Sequence, residues 1–306
     1  MLRRKRCTNL GDMSGRSVVV TGGNTGIGKA TATALAGLGA RVVITSRNDD
    51  RGRQAVEDIK QASGSDAVSC LRLDLGSLAS VRECASSLLD QLDAIHVLDL
   101  NAGGTLSRRQ VSDDGFEMQF QANHLGHFLL TNLLLDRIVA SAPARIIVLS
   151  SVAHTQARRG LDFDDLQWEN RRYFGSQVYG ATKLMNIYFA KELARRLAGK
   201  GVVANAVHPG FVRSQFGMGG DTRWMRLGIL IASPFARSVK RGAETVVWLA
   251  ASPDAEGEAG GYFFDCRRKD PALPALDDAA AARLWEVSEA LAGIKPQLEG
   301  TGRQSS

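Results

Sequence analysis

Seven short apolar runs recur along the chain, each separated from the next by a segment that includes a helix-length stretch or a long irregular connection. The runs cover 18–20, 41–44, 69–73, 96–100, 145–149, 202–207 and 262–264. They show little polar alternation, the mark of strands covered on both faces. Helix-period segments lie at 26–38, 50–62, 77–90, 115–140, 177–198 and 239–251. Such alternation predicts an α/β fold with a parallel sheet and helices on both faces. Right-handed crossovers make it doubly wound, with about seven strands.

No internal repeat and no Pro/Gly/Ser-rich linker divides the 306 residues, so a single domain is expected. Residues 1–13 read as a basic flexible tail and 14–266 as the folded unit. Residues 267–306 read as a loop, a short helix over 277–291 and a frayed end. The irregular stretch 211–237 mixes aromatic, glycine and basic residues and reads as a lid.

Composition removes several classes. With 44% hydrophobic and 23% charged residues, the chain is neither disordered nor collagenous. The longest apolar candidate, Leu227 to Ala236, contains Pro234 and falls short of the ~18 residues a membrane helix needs. The basic start Arg3-Arg4-Lys5-Arg6 runs into polar Cys7-Thr8-Asn9, so a Sec signal is not expected. Those four residues supply +4 of the net +6 and leave +2 for the rest, so a nucleic-acid face is not expected. The tail reads as a solvated end, with a contact for anionic lipid or RNA as the alternative. Cys7, Cys70, Cys84 and Cys266 are far apart with no CxxC. That argues against a zinc ribbon, a redox pair or a disulfide framework, and for a reduced cytoplasmic protein.

The first strand runs directly into Thr21-Gly22-Gly23-Asn24-Thr25-Gly26-Ile27-Gly28, and a helix follows. Glycines allow close backbone approach to a pyrophosphate, and the helix N-terminus offers free N–H donors. The spacing is GxxxGxG, a departure from GxGxxG, but the strand–turn–helix context is the required one. The second strand ends in Ser46-Arg47, where an NAD site would usually carry a carboxylate for the ribose 2′-hydroxyl. A guanidinium suits a 2′-phosphate instead, so NADP(H) is favoured over NAD(H). Arg47 also reads as a solvent-facing loop residue, with Asp49 and Asp50 capping the next helix.

Tyr179 and Lys183 stand at i and i+4, on one face of a helix. A nearby ammonium stabilises phenolate and lowers a Tyr pKa, which suits an acid or base for carbonyl–alcohol interconversion. Such a pair taken alone is compatible with a structural role. Its company gives it weight: Ser150-Ser151 and Asn101-Ala102-Gly103 end two strands at the edge where open α/β sheets hold ligands, and Asn123 lies on the following helix.

In these motifs the chain resembles the short-chain dehydrogenase/reductase family. The matching pieces are 21–28, Asp74-Leu75, Asn101-Ala102-Gly103, Asn123, Ser151, Tyr179 with Lys183, and Pro209-Gly210, in family order across about 15–265. The segments 24–29, 123–128 and 150–154 resemble the retinol dehydrogenase-like branch. The resemblance implies a Rossmann fold with Asn123, Ser151, Tyr179 and Lys183 as catalytic residues, Ser151 also touching substrate. It implies cofactor contacts from Gly22, Asn24, Thr25, Gly26, Ile27, Gly28, Ser46, Arg47, Asp74, Leu75, Asn101, Ala102, Gly103, Tyr179, Lys183, Pro209, Gly210 and Val212. It further implies that 211–237 covers a lipophilic alcohol or carbonyl and could rest on a membrane surface. The helices bearing 128–135 and Tyr179 would build a homo-oligomer interface.

The chain departs from the family at Leu100, where a first asparagine is usual, and at Thr182, where serine is usual. A longer gap before Tyr179 holds an insert at 161–173, expected to edge the substrate pocket. His124 and His127 at i and i+3 lack a completing ligand set, so no metal is expected. Ser151 with His154 lacks a GxSxG elbow, so a hydrolase is disfavoured. The expected activity is NADP(H)-dependent alcohol–carbonyl interconversion on a lipophilic substrate. A broad carbonyl or xenobiotic reductase and a non-catalytic nucleotide-binding regulator remain as alternatives.

Overall fold

In the computed structural model, which describes residues 7–212 and 237–294, the apolar runs become the strands of one sheet. The strands are β1 (Ser17–Val20), β2 (Arg41–Ser46), β3 (Val68–Arg72), β4 (Val97–Leu100), β5 (Ala144–Leu149), β6 (Val202–Val207), β7 (Tyr262–Phe264) and β8 (Arg267–Lys269). Their order is β3-β2-β1-β4-β5-β6-β7-β8. The first seven are parallel and β8 runs antiparallel to β7. The order reverses between β1 and β4, where Val20 pairs with Asp99, so the crevice expected at a switch point opens beyond these two ends.

The sequence predicted about seven strands and put 267–276 in a loop. The eighth escaped because Arg267-Arg268-Lys269 carries no apolar residue. It is an exposed charged edge, joined to β7 by Asp265 and Cys266, both at positive φ as a two-residue hairpin turn requires.

Helices α1 (Gly26–Gly37), α2 (Asp49–Ser63) and α7 (Val239–Ala251) cover one face of the sheet. Helices α3 (Leu78–Gln91), α5 (Gly126–Ala140), α6 (Gly175–Arg196) and α8 (Asp278–Ala292) cover the other. Alternate strand residues serve the two layers: Val18 and Val20 pack under α1, and Val19 packs toward α5. The helix expected over 115–140 begins with a short α4 (Met118–Phe120) and passes through a π-helical turn at Gln121–Leu125 before α5. Asn48, and not Asp49 or Asp50, caps α2: its Oδ1 accepts from Arg51 N–H at 2.9 Å. The C-terminal helix lies on α5 and α6, with Trp285 buried 4.9 Å from Phe128 and 5.9 Å from Phe189 by ring centroid.

Two expectations for the N-terminus are corrected. Residues 7–13 do not trail as a free tail. Gly11 N–H donates to Ala251 O and Met13 N–H to Leu38 O, both at 2.8 Å, and Met13 is buried. Cys7 and Cys266 form a disulfide with Cα atoms 5.9 Å apart. A separation of 259 residues hides that pairing from any reading of spacing. The basic cluster Arg3–Arg6 and lid residues 213–236 lie outside the described residues. Among the described residues no helix is long and apolar enough to cross a membrane.

Candidate active site

The turn after β1 is built for close approach. Gly22 and Gly26 adopt φ of 65° and 55°, which favour glycine. A Cβ on Gly28 would lie 2.7 Å from Gly22 O and collide with the Asn101 side chain, so the turn closes only with glycine there. Thr25 heads α1 without a side-chain cap, and its first turn carries no acidic residue. The first N–H groups of α1 are thus left for an anion. Asn24, Thr25 and Ile27 lie along this turn, and Val212 and Ile27 both crowd Gly242, where a Cβ would meet them.

Thr21 ties the turn to the end of β4. Its Oγ1 accepts from Ala102 N–H at 3.0 Å, and its carbonyl accepts from Asn101 Nδ2 at 2.9 Å. His127 Nε2 lies 3.0 Å from the same hydroxyl. By sequence His127 reads only as a candidate metal ligand, since the i, i+3 spacing does not show that its ring reaches the end of the first strand. His124 turns elsewhere, to Ser288 Oγ at 2.9 Å. Leu100, where the family has asparagine, is fully buried in the α5-side layer.

Asn123 sits in the π turn, a feature often found at functional sites. Its Oδ1 accepts from Gly104 N–H and its Nδ2 donates to Gly104 O, both at 2.8 Å. Nδ2 also reaches Thr182 Oγ1 at 3.1 Å. Asn123 thus brackets the Gly103-Gly104 loop against α6, and Thr182 supplies the hydroxyl that a serine would.

Ser151 lies two residues beyond β5 and hydrogen-bonds through its side chain to Tyr179. Its Oγ also accepts from Ala153 N–H at 3.2 Å. His154 Nδ1 lies 2.7 Å from the Ser151 carbonyl oxygen, and its Nε2 accepts from Ala272 N–H at 3.0 Å. The imidazole is therefore held away from the Ser151 hydroxyl, an arrangement unlike a serine hydrolase. Lys183 is buried and donates to Leu149 O at 2.9 Å, a carbonyl it shares with Asn186 Nδ2, also at 2.9 Å. Burial pushes the Lys183 ammonium down to about 7. Burial raises the Tyr179 phenol above its ordinary value, and the Ser151 hydrogen bond only partly offsets this. The expectation that Lys183 lowers Tyr179 is therefore corrected: burial sets the direction, and the group that opposes it is the Ser151 hydroxyl.

The remaining sites line the same sheet edge. Ser46 Oγ is engaged with Asn48, donating to its carbonyl at 2.8 Å, and Arg47 is exposed. Asp74 Oδ1 accepts from Gly76 N–H at 3.0 Å, and Leu75 is buried against Gly126. Pro209 precedes Gly210, whose φ of 88° turns the chain after β6; there His208 stacks on Phe264 at 4.9 Å. The 161–173 insert packs Trp168 on Val178 and Ala181.

Residues 16–162 match the short chain dehydrogenase family model. Retinol dehydrogenase 12 from Mus musculus is 43% identical over 292 residues, covering 94% of this chain and 90% of that protein. Retinol dehydrogenase 13 from Homo sapiens is 40% identical over 293 residues, covering 94% and 88%. The crystal structure of an uncharacterized protein from Mycobacterium paratuberculosis superposes with a TM-score of 0.76 at 32% identity, covering 95% and 98% of the two chains.

Proposed function

Because the chain belongs to the short-chain dehydrogenase/reductase family and is an oxidoreductase interconverting alcohol and carbonyl, we propose that it uses NADP(H) on a lipophilic substrate of retinoid-like or long-chain type. The observation that carries the alcohol–carbonyl chemistry is the convergence of Ser151, Tyr179, Lys183 and Asn123 beside the glycine turn, and exposed Arg47 after β2 supports NADP(H). The glycine cradle and the uncapped helix N-terminus fit a dinucleotide pyrophosphate.

A bound nicotinamide supplies or accepts the hydride. Tyr179 gives its hydroxyl proton to the carbonyl oxygen in reduction and takes it back in oxidation. Ser151, hydrogen-bonded to Tyr179, aligns that oxygen. Lys183, whose pKa burial lowers to about 7, stands beside the phenol and would donate to the hydroxyls of the nicotinamide ribose. Asn123 keeps the Gly103-Gly104 loop and α6 in register. Arg47 is the group for the 2′-phosphate, with Ser46 beside it. Asp74 and Leu75 would flank the adenine, and Asn101, Ala102, Pro209, Gly210 and Val212 would border the nicotinamide half.

The lipophilic preference is supported by the names of the relatives. It is tested with a chain-length series of aldehydes and alcohols, assayed with NADPH and NADP by absorbance of the reduced nicotinamide. kcat/KM should rise with chain length; a flat series overturns the lipophilic assignment.

A further inference from the structure

A cavity of about 380 Å³ opens between the 156–171 segment and the outer side of α6. Its α6 wall includes Gln177, Ala181 and Met185, at i, i+4 and i+8 on one side of the helix. Tyr179 and Lys183 are two residues out of step with these, ~200° around the helix axis at 3.6 residues per turn. The cavity therefore faces away from the candidate catalytic groups.

Its lining is divided. Leu161, Leu166, Trp168 and Met185 give an apolar stretch. Arg158 and Arg159 line it too, both exposed, with no side-chain hydrogen bond or ion pair among the described residues. The third arginine is committed. Arg171 stacks on the Trp168 ring at 3.7 Å and pairs with Asp162 at 3.4 Å and Asp165 at 3.3 Å. Among the described residues the one carboxylate lining the cavity, that of Asp162, is thus already matched, and the Arg158 and Arg159 charges remain unspent.

An apolar trough with unspent guanidinium groups is complementary to an amphipathic anion. A guanidinium fork fits a planar carboxylate, and Asp162 with Asp165 nearby disfavours a dianion such as a phosphate monoester. The volume falls within the ~300–1,000 Å³ of small-molecule sites. We propose that this cavity binds a long-chain monocarboxylate, its head on Arg158 and Arg159 and its chain along Leu161, Leu166, Trp168 and Met185. The site is separate from the catalytic cleft, and the argument for it is independent of the reading of that cleft.

Trp168 gives a direct readout. Decanoate and dodecanoate, below their micelle concentrations, are titrated against the full chain with NADPH present, following tryptophan fluorescence. The expected result is saturable quenching that Trp168→Phe removes, tightening roughly fourfold per added methylene. Decanol should bind at least tenfold more weakly, since a charge-assisted contact is lost. The double variant Arg158→Gln/Arg159→Gln should lose at least tenfold in decanoate affinity while kcat/KM for a short aldehyde is unchanged. Equal affinity in that variant, quenching that survives Trp168→Phe, or strictly competitive displacement of decanoate by the aldehyde overturns the proposal. The fluorescence arm stands whether or not any aldehyde is turned over, so failure of this site and failure of the proposed activity are distinguishable.

Discussion

The Lys183 ammonium lies 5.4 Å from the centre of the Tyr179 ring and gives its hydrogen bond to the Leu149 carbonyl, not to the phenol. The phenol is instead hydrogen-bonded to Ser151, and burial keeps its pKa above the ordinary tyrosine value. Tyr179 is therefore protonated across neutral pH, ready to donate in carbonyl reduction. As a base for alcohol oxidation it must first lose that proton.

Replacing Tyr179 by Phe should lower turnover about 10²–10⁴-fold and leave cofactor binding nearly intact. In the wild type, kcat/KM for alcohol oxidation should climb as pH rises from 7 toward 10, while no such climb is expected for carbonyl reduction. Steady-state rates in both directions and a cofactor fluorescence titration check this. A Phe variant near the wild-type rate removes Tyr179 from the chemistry.

Lys183→Met should separate stability from activity. The folded-state pKa is lowered to about 7 from an ordinary 10.5. Below pH 7 the folded protein must hold a desolvated ammonium that the unfolded chain holds in water, so the destabilisation is complete there. It fades as pH rises from 7 to 10.5. The variant should gain on the order of 1–3 kcal/mol at pH 6.5 and less at pH 9, while losing turnover and binding cofactor more weakly. Denaturant unfolding at the two pH values measures the difference. A gain that grows with pH contradicts burial as the cause.

Asp99 has the opposite sign. It is fully buried on β4 with neither carboxylate oxygen hydrogen-bonded, and burial raises its pKa to about 8. Between pH 4 and 8 the folded chain keeps a proton that the unfolded chain has released, so wild-type stability falls as pH rises and the loss is complete above 8. Asp99→Val places an apolar side chain beside Val20 and Ile147, its sheet neighbours. It should stabilise by about 1–3 kcal/mol at pH 8 and less at pH 5. Melting curves of both proteins at the two pH values test it. A variant no more stable than wild type at pH 8 shows that the carboxyl has a partner in solution.

Most of the sheet was legible because buried parallel strands leave unbroken apolar runs, and β6 and β7 match the predicted bounds. β8 was not, since an exposed edge of Arg and Lys looks like a loop. The gathering of Asn123, Thr182 and Gly104 was only half legible. The residues stand out in sequence, but the π turn that aims Asn123 at both partners leaves no periodic signal. Asp99 lay within the run 96–100 as an ordinary strand residue, because spacing does not reveal whether a carboxylate will find a donor. The insert at 161–173 was expected to edge the substrate pocket. Its position against Val178 and Ala181, on the outer side of α6, depends on a tertiary contact that sequence pattern does not encode.

Arg47 is the position where one substitution should change cofactor choice. It follows β2 at the sheet edge beside the glycine turn, exposed and without a side-chain partner among the described residues. The nearby carboxylates are engaged elsewhere: Asp49 pairs with Arg72 at 3.8 Å and Asp50 with Arg53. Ser46 Oγ donates to Asn48 O and accepts from Asn48 N–H, which fixes the turn that presents Arg47. The guanidinium charge is thus available to a 2′-phosphate, a contact worth on the order of 1.5–3 kcal/mol. Arg47→Asp should raise KM for NADPH about tenfold to a hundredfold by repelling that phosphate. NADH, which carries a hydroxyl there, should be used equally well or better. Because Arg47 is exposed and unpaired, the melting temperature should hardly move, so a loss confined to NADPH cannot come from misfolding. Steady-state kinetics with both cofactors decide the matter: equal use of NADPH and NADH by the wild type, or an equal loss with both in the variant, removes Arg47 from cofactor selection.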